Sequence, residues 1–258
     1  MLKNGLVEKM VNYSKLSHEE KIINSEDYIK RIIKMLGEKG ITLNQGSKIL
    51  EIGCGSGIGV YSYRKLNYRA YGVDFTCEYG EFEKKIFDEA LDLGDNEIFF
   101  KINENNNYKL PFKDNFFDFC SSRAVFEHVM NYEKTIKEIK RVLKKGGYSF
   151  HNFVSKYKMI EDHVYVPFAS IYHGYYYLLF WALLGIRNEF QIGKSAQEVA
   201  QRNYQYLENS TNYLSKREIE AIIKCEFTDY SFENFDKKLL NFYPFLDTFG
   251  YRYLFFRK

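Results

Sequence analysis

The sequence predicts an α/β fold, a seven-stranded and mostly parallel sheet flanked by helices. Three observations predict it. Short apolar runs of strand length alternate with stretches whose apolar residues recur at helical spacing. The run Ile49-Leu50-Glu51-Ile52 passes into a glycine-rich turn, Gly53-Cys54-Gly55-Ser56-Gly57, and then into a helical stretch. A second strand end, Asp74, follows Glu51 after 23 residues, the length of one helical crossover between parallel strands.

The elements follow in order. Ser25, with Glu26 and Asp27 behind it, opens a helix in which Ile29, Ile32, Ile33 and Leu36 share a face. Gly37 or Gly40 ends it. The first strand is 48–52, a helix runs to about 66, and the second strand is 70–74. Residues 78–92 read as a helix with Phe82, Ile86, Ala90 and Leu93 on one side. Strands follow at 98–102 and 116–121. Residues 131–144 form an amphipathic helix with Ile136, Ile139, Val142 and Leu143 inward, stopped by Lys144, Lys145, Gly146 and Gly147. Tyr148 to Val154 is the fifth strand. A polar helix is expected from Ser195 to Leu207, and another after Ser215, with Glu218 at the capping-box position. Phe227 to Phe232 and Tyr251 to Phe256 are the last two strands, a hairpin-like pair. The 258 residues are read as one domain, with 155–215 inserted as a cap.

Bulk properties narrow the function. The net charge is only +3, which gives no polybasic footprint for nucleic acid. Four cysteines at 54, 77, 120 and 225 lack paired spacing and read as reduced thiols of a cytoplasmic protein. The first residues, Met1-Leu2-Lys3-Asn4-Gly5, lead into polar sequence rather than the apolar run of a signal peptide.

The glycine register excludes two common cradles. A G-x-G-x-x-G fingerprint counted from Gly53 would need glycine at Ile58, and from Gly55 at Val60. No Lys-Ser/Thr pair follows, so the loop is not a P-loop. The pattern present is E-x-G-x-G-x-G, which resembles motif I of the class I S-adenosyl-L-methionine (SAM)-dependent methyltransferases, of the type 11 group. Leu110 to Asp118 and Glu138 to Gly147 resemble later motifs of that family in the right order, so the likeness covers about 48–153. It implies a Rossmann-like fold with SAM as cofactor and S-adenosyl-L-homocysteine as product. It implies that Glu51, Gly53, Gly55 and Gly57 hold the methionine and ribose part. Asp74 would accept from both ribose hydroxyls, and Phe75 would lie against the adenine. Ser122, at the fourth strand's end, is counted with the cofactor-binding residues. The family often has an Asp after the third strand for the adenine amino group. Here the segment is Asn103-Glu104-Asn105-Asn106-Asn107, and Asn103 is the acceptor of choice.

The 155–215 segment is expected to choose the methyl acceptor. Val164 to Ile186 holds no charged residue, yet Pro167, His173 and five tyrosines make it poor membrane core. It reads as an aromatic helical cap, with interfacial lipid contact or sugar stacking as further uses. Methyl transfer to a hydroxyl is helped by a base. His128, after the fourth strand, falls where the family's loop faces the methyl group. His163 follows Asp162, and Asp162 or another carboxylate could orient it. This pair resembles an Asp-x-His segment of methyltransferases from bacterial surface-polysaccharide clusters, although here the residues are adjacent. The metal-ligand pair spacing is missing, so no metal is expected. The expected reaction is O-methylation of a small molecule, such as a nucleotide-linked sugar or a phosphate or phosphoramidate intermediate of capsule biosynthesis. The alternatives are a lipid or quinone methyltransferase, and a SAM-binding protein without transfer activity.

Overall fold

The computed structural model describes residues 16–76, 88, 97–103, 108–233 and 251–258. Its elements are α1 (His18–Glu38), β1 (Lys48–Ile52), α2 (Ile58–Lys65), β2 (Arg69–Asp74), β3 (Phe99–Lys101), β4 (Phe117–Arg123), a 3₁₀ turn (Phe126–His128), α3 (Tyr132–Val142) and β5 (Leu143–Val154). Then come α4 (Tyr175–Leu183), a second 3₁₀ turn (Glu189–Gln191), α5 (Ala196–Ser210), α6 (Lys216–Lys224), β6 (Asp229–Glu233) and β7 (Tyr251–Arg257). The seven strands are ordered β3-β2-β1-β4-β5-β7-β6. β1 pairs with β2, and β2 with β3, in parallel. β7 runs antiparallel to both β5 and β6. This is the predicted α/β class, and the last two strands are the expected pair. The helix expected at 78–92 lies outside the described residues, apart from Asp88.

The chain divides into two compact units, Met1–Ser121 with Val142–Gly147, and Ser122–Arg141 with Tyr148–Lys258. In the first, Ile49, Leu50, Ala70, Val73, Phe117 and Phe119 are buried. Burying each large side chain contributes roughly 1.5–3 kcal/mol. Gly72 is the tight point of this core. A Cβ there would lie 2.7 Å from Cys54 Sγ, 2.8 Å from Cys54 Cβ and 2.9 Å from Val60 Cγ2. Gly72→Ala is therefore expected to destabilise the fold by about 1–3 kcal/mol. Thermal denaturation checks this, and an unchanged midpoint would mean that the contact relaxes freely.

In the second unit, Phe126, Phe150, Phe153, Leu254 and Phe256 are buried, and His151 is fully buried among them. Its Nδ1 is 2.7 Å from Ser122 Oγ and its Nε2 is 2.5 Å from Ser149 Oγ. Burial pushes the imidazole down to about 3, so it stays neutral. A separate apolar cluster holds the 155–215 segment together. Val154, Val164, Val166, Ala169, Leu178, Ala200, Leu207 and Tyr213 form it. This accounts for the charge-free run: Val164, Val166, Ala169, Leu178 and Ala182 point inward, while Tyr176, Phe180, Leu183 and Leu184 are exposed. Among the described residues, no helix is long and apolar enough to cross a membrane.

Two boundaries differ from expectation. α1 begins at His18, not after Ser25, because Ser17 caps it. Ser17 Oγ accepts from the Glu20 amide at 3.2 Å, and Glu20 accepts from the Ser17 amide at 2.7 Å. Ser25 is buried inside the helix. β5 begins at Leu143, so Lys144 to Gly147 belong to a strand rather than a helix stop. Lys144 is fixed there by an ion pair of 2.6 Å to Asp118, whose other oxygen accepts from the Lys48 amide at 2.9 Å.

Candidate functional site

The first unit carries the glycine loop. Gly53, Gly55 and Gly57 have φ of 66°, 48° and 77°, a left-handed run that side chains with a Cβ resist. The Gly53 and Cys54 amides donate to the Val73 carbonyl at 2.8 and 3.1 Å, which fixes the loop against the end of β2. Gly57 caps α2 without a side-chain bond of its own, and the start of the helix faces the loop. Asp74, at the end of β2, accepts from the Gly55 amide at 2.8 Å and from the Thr76 amide at 3.1 Å. The Thr76 hydroxyl also donates to the same oxygen as its amide, at 3.4 Å, so among the described residues the oxygen on Gly55 is the one with a single donor and a lone-pair direction left for a ligand hydroxyl. A Cβ built on Gly55 would meet nothing within 4 Å, so the cradle is open above the loop. The half-buried Glu51 carboxylate lies over Gly59, where any Cβ would collide with it. Asp74 is thus bonded to the loop at Gly55, and Glu51 lies over the start of α2 at Gly59. Phe75, next to Asp74, is 40% exposed, with the Tyr108 ring roughly perpendicular to it at 6.4 Å. Asn103 is exposed just past β3. The residues present fit a ligand with paired hydroxyls and an aromatic base.

Ser122 is buried, and its hydroxyl is hydrogen-bonded to His151 in the second unit's core at 2.7 Å.

The second unit brings His128 and His163 together, with ring centroids 5.0 Å apart and edge to face. Nδ1 of His128 donates to the Ser210 carbonyl at 2.6 Å. Burial is the largest influence on His128 and holds it below the ordinary histidine range. The expected partnership of His163 with Asp162 is overturned. Asp162 pairs with Lys158 and accepts from Tyr251 at 2.8 Å. Glu161 is the acid on His163, at 2.5 Å from Nδ1. Glu161 is completely buried and also accepts from the amides of His163 and Val164, at 2.8 and 2.7 Å, and from Tyr213 at 2.5 Å. Burial pushes this carboxyl up, but the bonds outweigh it and it ends below the usual range, ionised. Burial pushes His163 down, and the bond and charge of Glu161 outweigh that, leaving it above the ordinary range. Because an ionised carboxylate only accepts, Nδ1 of His163 carries the hydrogen and Nε2 is the basic nitrogen.

His163 lines a cavity of about 540 Å³ whose walls include Asp162, Tyr165, Glu189, Arg202 and Tyr206. The Tyr206 ring lies 5.2 Å from the His163 ring. Sequence reasoning missed Glu161, Glu127 and Tyr206. A signal for Glu161 was present: the acid-x-His spacing is complete as Glu161-Asp162-His163. Among the described residues, no three His, Cys, Asp or Glu side chains are grouped to hold a metal ion.

Residues 50–151 match the family model described as a methyltransferase domain. The chain is 28% identical over 138 residues to a demethylmenaquinone methyltransferase of Staphylococcus saprophyticus, covering 52% of this chain and 54% of that protein. It is 37% identical over 109 residues to the uncharacterized protein MJ0638 of Methanocaldococcus jannaschii, covering 39% and 48%. It thus spans about half the length of the curated relatives it matches. In fold it resembles phosphoethanolamine N-methyltransferase 2 of Haemonchus contortus, with a TM-score of 0.54 and 15% identity over 89% of this chain and 52% of that one.

Proposed function

We infer that this chain, which carries a class I methyltransferase domain at residues 50–151, is a SAM-dependent methyltransferase acting on a hydroxyl of a small polar molecule. SAM supplies a methyl carbon activated by its sulfonium, and S-adenosyl-L-homocysteine is the product. Asp74 takes the ribose hydroxyls, the open loop at Gly53 to Gly57 takes the methionine side with Glu51 beside it, and Phe75 and Asn103 serve the adenine. His163 is the base, oriented by Glu161, and it removes the acceptor's proton as the new oxygen–carbon bond forms. His128, turned toward Ser210, borders the same imidazole and supports its placement.

The observation that carries the reading is the 2.5 Å Glu161–His163 pair at the wall of the cavity. The lining also supports the acceptor class. Asp162 is paired with Lys158, and the lining carries both Glu189 and Arg202, so the walls have no excess of positive charge and suit an uncharged, hydroxylated ring rather than a phosphate. Tyr165 and Tyr206 offer ring faces for a sugar. A nucleotide-linked sugar of a capsule pathway fits this chemistry. A second reading, methylation of a quinone or lipid, is favoured by the curated relatives named for demethylmenaquinone and by the exposed apolar side of α4. Radiolabelled SAM offered with a panel of nucleotide sugars, and separately with a quinone in vesicles, tests the choice. Label is expected on a sugar hydroxyl. Label on the quinone alone would replace the first reading by the second.

A further inference from the structure

Glu127 lies on the 3₁₀ turn at Phe126–His128 and is 1% exposed. Among the described residues, neither of its carboxyl oxygens has a hydrogen-bond partner, whereas the Glu161 oxygens collect four donors. A bare buried carboxyl in a native fold calls for an explanation. The groups around it belong to several elements. From its own turn and α3 come His128 and Tyr132. From the loop after β5 come Asp162 and His163, with Glu161 bonded to His163, and with Lys158 of the same loop and Tyr251 of β7 on Asp162. From α5 comes Tyr206, and after it Tyr213. The Val154 amide of β5 and the Glu127 amide lie near without completing a bond. The His163 ring packs 5.0 Å from the ring of His128, the next residue on the Glu127 turn, and is the cationic partner these surroundings give to Glu127.

We propose that Glu127 is a positioning residue for His163, a second carboxylate that stabilises the imidazolium formed during methyl transfer. This rests on the reading of His163 as the base. In that step the acceptor O–H bond breaks and its proton goes to Nε2 of His163. The oxygen forms its bond to the methyl carbon, and the C–S bonding pair leaves with sulfur. Glu161 fixes the tautomer, and Glu127 adds charge without a directional bond. Burial pushes the Glu127 carboxyl up to about 7, with its own amide and the field of His163 opposing. The counter-charge therefore switches on as pH rises through neutrality. Because the folded value lies above the ordinary 4.5, this group favours folding fully below about 4.5. That contribution is lost as pH rises through about 7.

The test is an imidazole NMR titration of the full chain and of Glu127→Gln and Glu127→Asp, with S-adenosylhomocysteine binding measured alongside. Glu127→Gln is expected to lower the His163 midpoint by about one pH unit. It is also expected to raise the thermal midpoint at pH 8 but not at pH 4.5, and to leave S-adenosylhomocysteine binding unchanged. Glu127→Asp, which keeps the charge, should return most of the His163 midpoint. Superposable His163 curves for the wild type and Glu127→Gln would overturn the proposal. A persisting coupling with full turnover in His163→Ala would instead overturn the base assignment on which it rests.

Discussion

His163→Ala is expected to lower methyl transfer by about 10²- to 10⁴-fold, the range of a lost general base, with cofactor affinity unchanged. The geometry gives the reason. Nδ1 is committed to a buried, ionised carboxylate at 2.5 Å, so the ring presents one defined basic nitrogen. Glu161→Gln keeps an acceptor for Nδ1 but removes the charge that holds His163 above the ordinary range. The base works in its neutral form, so the wild-type rate rises with pH through that elevated value. In Glu161→Gln the rise is expected at lower pH, with a plateau lower by about 10- to 100-fold. Turnover against pH, with an accepted substrate, reads both effects. A profile in Glu161→Gln that overlays the wild type would remove Glu161 from the mechanism.

The second large effect is expected at Asp74. Its carboxylate holds the Gly55 and Thr76 amides, and in the proposed reading it also receives the ribose hydroxyls. Charge-assisted hydrogen bonds contribute about 1.5–3 kcal/mol each. Asp74→Ala loses those to the ligand and also loosens the loop, so cofactor affinity should fall by about 10²-fold or more. Asp74→Asn, which keeps one carbonyl oxygen, should fall less. Equal affinities in all three proteins would mean that the ribose lies elsewhere.

The parts of the site legible in the sequence are those written by local chemistry. A strand, three glycines in fixed register and a helix start are neighbours in the chain, and Asp74 is one crossover away. What Asp74 does to the Gly55 amide was not legible, because that bond joins residues 19 apart. The acid on His163 was misread for a related reason. The turn after β5 aims the amides of residues 163 and 164 at Glu161, which carries its carboxylate to the ring, while Asp162 is drawn to Lys158 and Tyr251. Adjacency in sequence favoured Asp162, and backbone hydrogen bonding decided for Glu161. The bare carboxyl of Glu127 gave no pattern at all, since its burial comes from tertiary packing and not from local sequence. The start of α1 was missed because Ser17 and Ser25 both look like caps, and Ser17 alone has a glutamate three residues on.

Calorimetric titration of the wild type and Asp74→Ala with S-adenosylhomocysteine tests the central claim most directly, since it needs no acceptor. Saturable binding by the wild type, weakened by about 10²-fold or more in Asp74→Ala, is the predicted result. No binding by a folded wild-type chain, or equal binding by both proteins, would contradict it.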